Sequence, residues 1–386
     1  RKISQSDPLQ ALQPPCDVGD ATKHFGGRFD AHCENVGDVV SAVQDLESLT
    51  VVAETIARLA LDIHIRQKLH LNPYDPGALT DLASATFDVE RFFEHNRLVG
   101  LLVIKQGKVV VERYALGNTP ETRWYSFSVA KSVVSMLIGA AVRDGYISSL
   151  DASVTDYLPV LAGSAYEDVS IRDAMQMASG VAWIEDYTDP QSDIASTGGS
   201  ALNRLRYLRK KPRVSPPGRV FNYNTAEANL LGAVLRAAIG NNLSTYLEHK
   251  IWRPFGMEHD ANWLLLVPGG AEHAGCCLSA TLRDYGRIGL FAMRDGRLRN
   301  GTPVLPDGWM AESTTPSRAN QGYGYLWWLR GSGVYDAIGI YGQSIHIDSA
   351  EELVIVTHST WPQPTGREFE RHRSAFFEAV TAVLRN

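Results

Sequence analysis

Residues 126–132 are Ser126-Phe127-Ser128-Val129-Ala130-Lys131-Ser132, and this stretch opens the clearest helical pattern of the 386-residue chain. From Ser128 to Ala141 the apolar residues recur at spacings of three and four, which predicts a buried helix. Residues three apart share one face of a helix, so the Ser128 hydroxyl and the Lys131 amine can meet. The sequence therefore predicts a helix that presents a serine beside a lysine in its first turn.

Lys131 has an unusual setting for a lysine. It is the only one of nine lysines with a serine three positions earlier, and the surrounding helix is apolar. Burial and the positive potential of a helix N-terminus both disfavour the ammonium, so a neutral Lys131 can act as a base toward Ser128. A backbone N–H at the helix start can also face a developing oxyanion. The alternative interpretation is a surface helix whose cap is Ser128.

A second segment, 217–225, has the sequence Pro-Gly-Arg-Val-Phe-Asn-Tyr-Asn-Thr and leads from a turn into a helix predicted from about 226 to 238. A tyrosine at such a junction can project its hydroxyl into a cleft, where Tyr223 can relay protons. Beside a cationic Lys131 the pKa of Tyr223 should fall. The alternative is a core tyrosine whose hydroxyl is bound to the backbone.

The remaining pattern predicts an α+β protein. Short β-type runs at 98–104 and 109–114 flank Gln106-Gly107, as in a hairpin. The middle of the chain is mostly helical. The two chain ends should therefore share one antiparallel sheet, with the middle forming a helical lobe. The C-terminal part supplies four more β-type runs, at 323–329, 335–341, 344–347 and 353–357, before a helix at 367–384.

The N-terminal part has a different character. Residues 1–75 are predicted to be an extension, partly irregular and then helical, and residues 76–386 the main domain, with 145–268 forming most of the helical lobe. Cys16 and Cys33 can form a disulfide in an oxidising compartment or be two unrelated thiols. Adjacent cysteines rarely bridge, so no disulfide is expected between Cys276 and Cys277.

Composition and motif searches exclude several classes of function. The chain has 37 Lys+Arg against 43 Asp+Glu, a net charge of −6, which argues against a nucleic-acid surface built on net charge. No apolar run approaches the ~20 residues of a membrane-spanning helix. Neither a CxxC nor an HExxH motif occurs, so no metal site is suggested. The stretch 342–346 lacks the second glycine of a nucleophile elbow, which disfavours a Ser-His-Asp hydrolase.

Several motifs lie in collinear order between and after the two candidate segments: Asp144-Gly145-Tyr146-Ile147, Val154–Pro159 and Met177–Gly180 before the second, and Leu230-Leu231-Gly232, Arg253–Met257 and Ser279–Asp284 after it. In this order the chain, over roughly 95–385, resembles the serine β-lactamase and DD-peptidase superfamily. It is most similar to the class C β-lactamase and family VIII esterase branch, and within it to the 6-aminohexanoate-dimer (nylon oligomer) hydrolase group. The resemblance implies an antiparallel sheet flanked by helices, and no metal or organic cofactor. It implies Ser128, Lys131 and Tyr223 as catalytic residues, with an oxyanion hole from the backbone N–H groups of Ser128 and Ile340.

The sequence departs from the family pattern in two motifs. Where that family often has Tyr-x-Asn, Thr225 replaces the amide, and where it often has Lys-Thr-Gly, this chain has Ala337-Ile338-Gly339. The lysine that would hold a substrate carboxylate is therefore missing. A neutral, apolar strand edge should bind uncharged acyl groups better than anionic ones. The departure favours an esterase or an amidase acting on linear amides.

Two further segments resemble the nylon-oligomer group. In the stretch 185–190 the resemblance implies that Tyr187 contacts the scissile amide, although it can also be a lid tyrosine that packs on its own loop. The stretch 339–343 implies substrate contacts from Gly339, Tyr341 and Gln343, with Tyr341 where histidine is usual. Thr225 is a further candidate for substrate binding. Asp193 is a candidate for binding the amine end of an aminohexanoate oligomer.

The expected function is a serine hydrolase that forms an acyl-enzyme with small carboxylic esters or linear amides. The expected partner is a small-molecule substrate, with no nucleic acid and no membrane span. The alternatives are a β-lactamase or D-alanyl-D-alanine carboxypeptidase-like enzyme, and a catalytically silent binding or sensor relative. The Cys16–Cys33 pair and family habit favour a periplasmic or secreted location. The sequence does not decide the oligomeric state.

Overall fold

The computed structural model of the chain describes residues 3–6 and 89–385. Three expectations lie outside the described residues: the helical part of the extension, the boundary near residue 75, and the pairing of Cys16 with Cys33.

The larger β-sheet of the protein is antiparallel and has six strands in the order β3-β2-β10-β9-β8-β7. Its central pair joins the two ends of the domain, since β10 pairs with β2 and places Val356 opposite Leu102. This arrangement confirms the sheet that the sequence predicts. A smaller sheet has the order β1-β5-β6-β4, with β1 parallel to β5. The strands are β1 (Ile3–Ser6), β2 (Leu98–Lys105), β3 (Lys108–Tyr114), β4 (Trp124–Tyr125), β5 (Ala261–Leu264), β6 (Leu278–Ala280), β7 (Trp328–Gly331), β8 (Val334–Gly339), β9 (Gln343–Asp348) and β10 (Leu353–Ser359).

Helices fill the middle of the chain and cover the larger sheet. They are α1 (Val89–His95), α2 (Val129–Arg143), α3 (Val154–Tyr157), α4 (Ile171–Met175), α5 (Asp193–Ser196), α6 (Ala201–Arg209), α7 (Thr225–Ile239), α8 (Leu243–Leu247), α9 (Arg253–Phe255), α10 (Leu282–Met293), α11 (Trp309–Ser313) and α12 (Arg367–Leu384). Helix α10 packs on β2, β9 and β10, and α7 packs on α2, α3, α4 and α6. Across residues 89–385, no helix combines the length and the apolar character needed to cross a membrane.

Helix α2 occupies the centre of the molecule. Its residues from Val129 to Ala141 are all buried, and it contacts strands β8 and β9 and helix α7. A fully surrounded helix loses its solvent-facing side, so every polar side chain on it is desolvated. The helix that carries Ser128 and Lys131 therefore places both at the junction of the larger sheet and the helical lobe.

Two expectations from the sequence are corrected. The β-type run at 323–329 becomes a strand only at Trp328, because the backbone N–H groups of Tyr325 and Leu326 donate to Ser313 and Met175 instead of to a neighbouring strand. Cys276 and Cys277, expected not to bridge, are joined by a disulfide in the loop between β5 and β6.

Candidate active site

Ser128 lies at the N-terminus of α2 with its hydroxyl available for chemistry. Its side chain makes no capping hydrogen bond, and the residue is only 9% exposed, so the interpretation as a surface cap does not hold. The preceding residue, Phe127, has a φ of 45°, in the left-handed region that non-glycine residues rarely adopt. Such strained backbone is often found at functional sites, and here it orients the turn into the helix.

Lys131 is held directly against Ser128. Its Nζ atom donates to Ser128 Oγ at 2.8 Å and to the carbonyl oxygen of Gly275 at 2.7 Å, and the residue is 1% exposed. Burial lowers the pKa of Lys131 to about 8, against a smaller opposing effect from the negative charge of Glu185. A substantial fraction of this amine is therefore neutral near physiological pH, and its lone pair can accept the Ser128 proton.

Tyr223 lies two residues before helix α7. Together with Ser128 and Lys131 it forms a set of three side chains, the Ser128 group. The Ser128 side chain is close enough to act on the pKa of Tyr223, which it lowers, and Lys131 Nζ lies 5.0 Å from the centre of the Tyr223 ring. The sequence predicts a lowered pKa for Tyr223, and this is wrong: burial raises the pKa of the phenol, and the charge of Glu185 adds to the increase. Tyr223 therefore stays protonated at neutral pH, which suits a residue that donates a proton.

Aromatic side chains hold the Tyr223 ring in place. Trp328 stacks on it with ring centres 5.7 Å apart, and Tyr323 meets it edge-on at 6.3 Å. Sequence reasoning missed both residues, which lie about 100 positions away in the chain. The aromatic-rich run at 323–329 is the sequence signal that could have indicated them, but its pattern predicts only a strand.

Glu185 brings a carboxylate to the edge of the group. It accepts hydrogen bonds from the Tyr187 hydroxyl at 2.6 Å and from the Thr225 backbone N–H at 3.0 Å, as well as from the Thr225 hydroxyl and the indole of Trp183. Glu185 thus links Tyr187 to Thr225. The sequence patterns indicate no role for Glu185. Burial is the main cause of the raised pKa of Tyr187 and of Tyr223, and the charge of Glu185 adds to both, whereas at Lys131 the same charge partly offsets the lowering by burial.

The end of strand β8 lies against the turn at residues 126–128. A Cβ atom on Gly339 would lie 2.3 Å from the carbonyl oxygen of Ser126, so only glycine permits this approach. The rings of Tyr341 and Phe127 lie 5.2 Å apart between their centres. The end of strand β8 therefore packs directly on the residues that precede Ser128.

Gln343 supports this strand end from behind. Its side chain is buried, donates to the carbonyl oxygens of Ser359 and Tyr341, and accepts from the Trp124 indole and the Ser359 N–H. Four hydrogen bonds to three residues thus occupy the side-chain amide of Gln343. Tyr341 itself adopts a φ of 60°. The structure places Gln343 as a support of the 339–342 turn.

Asp193 lies in a different environment. It accepts from Lys211 Nζ at 2.6 Å, from the Ile184 N–H at 2.8 Å and from the Tyr207 hydroxyl, and these hydrogen bonds lower its pKa despite burial. Its carboxylate already has an ammonium partner within the chain. Glu185 is the carboxylate that the fold brings to the Ser128 group.

Comparisons with known proteins give the family of the chain. A model of the Beta-lactamase family matches residues 89–379. The 6-aminohexanoate-dimer hydrolase of Paenarthrobacter ureafaciens is 28% identical over 338 residues, which cover 81% of this chain and 85% of that protein. A solved structure from Bacillus anthracis, provisionally named a 6-aminohexanoate-dimer hydrolase, aligns with a TM-score of 0.67 at 22% identity, covering 78% of this chain and 82% of that one.

A more distant structure has the same fold. A family VIII carboxylesterase aligns with a TM-score of 0.58 at 15% identity, over 75% of this chain and 96% of that one. The predicted antiparallel sheet flanked by helices is confirmed. The family match extends from the first described helix into α12 and includes all three members of the Ser128 group. The chain therefore belongs to the beta-lactamase family of serine hydrolases.

Proposed function

We propose that the protein hydrolyses small uncharged carboxylic esters or linear amides through an acyl-enzyme on Ser128. The observation that carries the proposal is the 2.8 Å contact between Ser128 Oγ and the buried Nζ of Lys131. A serine hydroxyl is a weak nucleophile until a base removes its proton, and a desolvated amine beside it is such a base.

The proton path follows from the three side chains. The Ser128 oxygen attacks the substrate carbonyl while its proton passes to neutral Lys131. Tyr223, protonated because burial raises its pKa, donates its proton to the leaving alkoxide or amine and is reprotonated from Lys131. A water molecule then attacks the acyl-enzyme, gives its proton to the same pair, and Ser128 regains its own.

The developing oxyanion needs donors on the opposite side of the carbonyl. The backbone N–H groups of Ser128 and Ile340 are the proposed pair, and the close approach of Gly339 to Ser126 supports this assignment. Removing one donor from such a hole typically slows catalysis by about 10²–10³-fold. Gln343 fixes the turn that carries Ile340.

Charge at the site supports an uncharged acyl group. Strand β8 supplies the buried Ala337 where a lysine would hold a substrate carboxylate, and Glu185 adds a negative charge. A carboxylate placed near Glu185 would be repelled, whereas an ester, an amide or an amine end would not. Tyr187 is the proposed contact to the scissile amide, and Thr225, Gly339 and Tyr341 line the same region.

Three substrates separate the alternatives. We expect hydrolysis of p-nitrophenyl acetate well above that of a nitrocefin-type β-lactam, with the 6-aminohexanoate dimer testing amide cleavage. Faster β-lactam than ester hydrolysis would favour a β-lactamase or peptidase, and no turnover of any substrate would favour a silent binding or sensor relative.

Two variants test the nucleophile itself. Ser128→Ala should abolish ester hydrolysis and labelling by a fluorophosphonate probe. Ser135→Ala is the matched control, because Ser135 is buried on the same helix and its hydroxyl has no hydrogen-bond partner among residues 89–385. A Ser128→Ala protein as active as Ser135→Ala would disprove the proposal.

A further inference from the structure

Glu227 is a buried carboxyl that the proton path above does not use. It lies in the first turn of α7, four residues after Tyr223, and is 1% exposed. At this position a glutamate commonly turns back to the N–H of the capping residue. Here the N–H of the capping residue, Asn224, donates to the Met177 sulfur at 3.4 Å, and the Glu227 carboxyl points elsewhere.

The carboxyl of Glu227 binds two hydroxyls from other parts of the chain. Its Oε1 atom accepts from Ser179 Oγ and, at 3.1 Å, from the Tyr166 hydroxyl. Its Oε2 atom has no hydrogen-bond partner within the described part of the chain. A buried polar group with this geometry is costly, so it is retained only where the surrounding structure depends on it.

The Ser179 segment in turn holds the loop that leads to Tyr223. The carbonyl oxygen of Met177 accepts from the Asn222 N–H at 2.8 Å, and that of Ala178 accepts from the Gly218 N–H at 2.7 Å. A Cβ atom on Gly180 would lie 2.0 Å from the carbonyl oxygen of Ser215, which shows how closely the two segments pack. Residue 222, directly before Tyr223, is thus fixed by a segment that Glu227 anchors.

We propose that Glu227 is a positioning residue, whose contacts with Ser179 and Tyr166 fix the 213–222 loop and thereby place the Tyr223 hydroxyl against Ser128. The inference rests on the function proposed above for the kinetic part of its test, but not for the structural part. Tyr223 is the member of the catalytic group that depends most on such support, since it is not on the same helix as Ser128.

The protonation state of Glu227 is set mainly by its burial. Burial raises its pKa to about 8, the charge of Asp173 adds to this, and the hydrogen bonds from Ser179 and Tyr166 oppose it. The carboxyl is therefore neutral at pH 7. Above about pH 8 it becomes a carboxylate, which accepts the hydrogen bonds from Ser179 and Tyr166 more strongly, so the anchor should hold at alkaline pH.

Variants at Glu227 separate the anchor from its charge. Glu227→Gln keeps the acceptor oxygen and stays neutral, so it should retain kcat for p-nitrophenyl acetate within about twofold at pH 7. Because ionisation of Glu227 leaves its contacts in place, the wild-type and Glu227→Gln profiles should both rise with the deprotonation of Lys131 and then level off. Glu227→Ala should lower kcat by about 10–100-fold with little change in KM, the effect of a small misplacement of a catalytic group.

Hydrogen exchange gives a readout that does not depend on turnover. The amides of 213–222 should exchange faster in Glu227→Ala than in wild type and Glu227→Gln. Asp284→Ala is the control, because Asp284 lies on helix α10, which carries none of the proposed catalytic residues. The change removes a buried carboxyl that accepts hydrogen bonds from the Thr281 hydroxyl and from two backbone N–H groups. It should lower the melting temperature without faster exchange in this loop.

The two proposals fail in different ways. Unchanged exchange in Glu227→Ala, or exchange equally fast in Asp284→Ala, would overturn the positioning role whatever the enzyme hydrolyses. A wild-type protein with no esterase activity, combined with faster loop exchange in Glu227→Ala, would reject the proposed function and leave the anchor in place.

Discussion

The Nζ atom of Lys131 lies 2.8 Å from the Oγ atom of Ser128, and both side chains come from the first turn of one buried helix. Helix geometry alone brings them together. Tyr223 reaches the same point from a loop nearly a hundred residues later, and its ring depends on Trp328, Tyr323 and the 177–180 segment. The Ser128–Lys131 pair is thus a local feature, and the position of Tyr223 is a tertiary one.

Replacing Lys131 by arginine should remove the base while keeping a cation in place. A guanidinium remains protonated at all accessible pH values, so it cannot accept the Ser128 proton. We expect kcat for p-nitrophenyl acetate to fall by about 10²–10⁴-fold, the usual contribution of a positioned base. Lys105→Arg, on an ion pair with Glu351 away from α2, is the control and should keep full activity. Equal activity of the two variants would contradict the role of Lys131.

The pH dependence of kcat/KM should report the deprotonation of Lys131. Its pKa is about 8, so the neutral fraction and the rate should rise with pH up to that value and then stop rising. The negative charge of Glu185 raises this pKa, so Glu185→Gln should move the rising limb to lower pH. Asp186→Asn removes an exposed neighbouring carboxylate and should leave the limb in place. A limb that moves equally in both variants would show that Glu185 has no specific effect.

Tyr223→Phe should remove the proton donor while preserving the packing of the ring. The phenyl group can still stack on Trp328, so the melting temperature should change little. The kcat for esters should fall by about 10²–10³-fold, and more for amides, because an amine leaving group needs protonation more than p-nitrophenolate does. Tyr335→Phe, a buried tyrosine against Trp327 and outside the group, serves as the control. An amide-to-ester rate ratio unchanged in Tyr223→Phe would argue against proton donation by this residue.

Features that depend on residues close together in the chain can be predicted from the sequence, whereas features that depend on contacts between distant residues cannot. The individual strands, the central helix and the Ser128–Lys131 pair follow from local spacing, and the family motifs mark Tyr223. The contacts of Lys131 with Gly275 and of Thr225 with Glu185 join segments 144 and 40 residues apart, and no local pattern encodes them. The pKa of Tyr223 was predicted in the wrong direction because its burial depends on such distant packing.

Gly339→Ala should push the C-terminal end of strand β8 away from the turn at residues 126–128. The added methyl group would lie 2.3 Å from the Ser126 carbonyl oxygen and 3.0 Å from the Phe127 Cβ, so the strand end must move. Overpacking of this kind costs about 1–3 kcal/mol of stability. If Ile340 N–H is an oxyanion donor as proposed, the displacement should also lower kcat by at least about tenfold.

Gly322→Ala is the matched control for this change. A Cβ atom at position 322 has its nearest neighbour at 3.4 Å, an ordinary contact, and the backbone there is not left-handed. Thermal unfolding and ester kinetics on both variants should show a loss in Gly339→Ala alone. If Gly339→Ala lost stability but kept wild-type kcat, the strand end would be packed against the turn without taking part in oxyanion binding, and the assignment of Ile340 would be wrong.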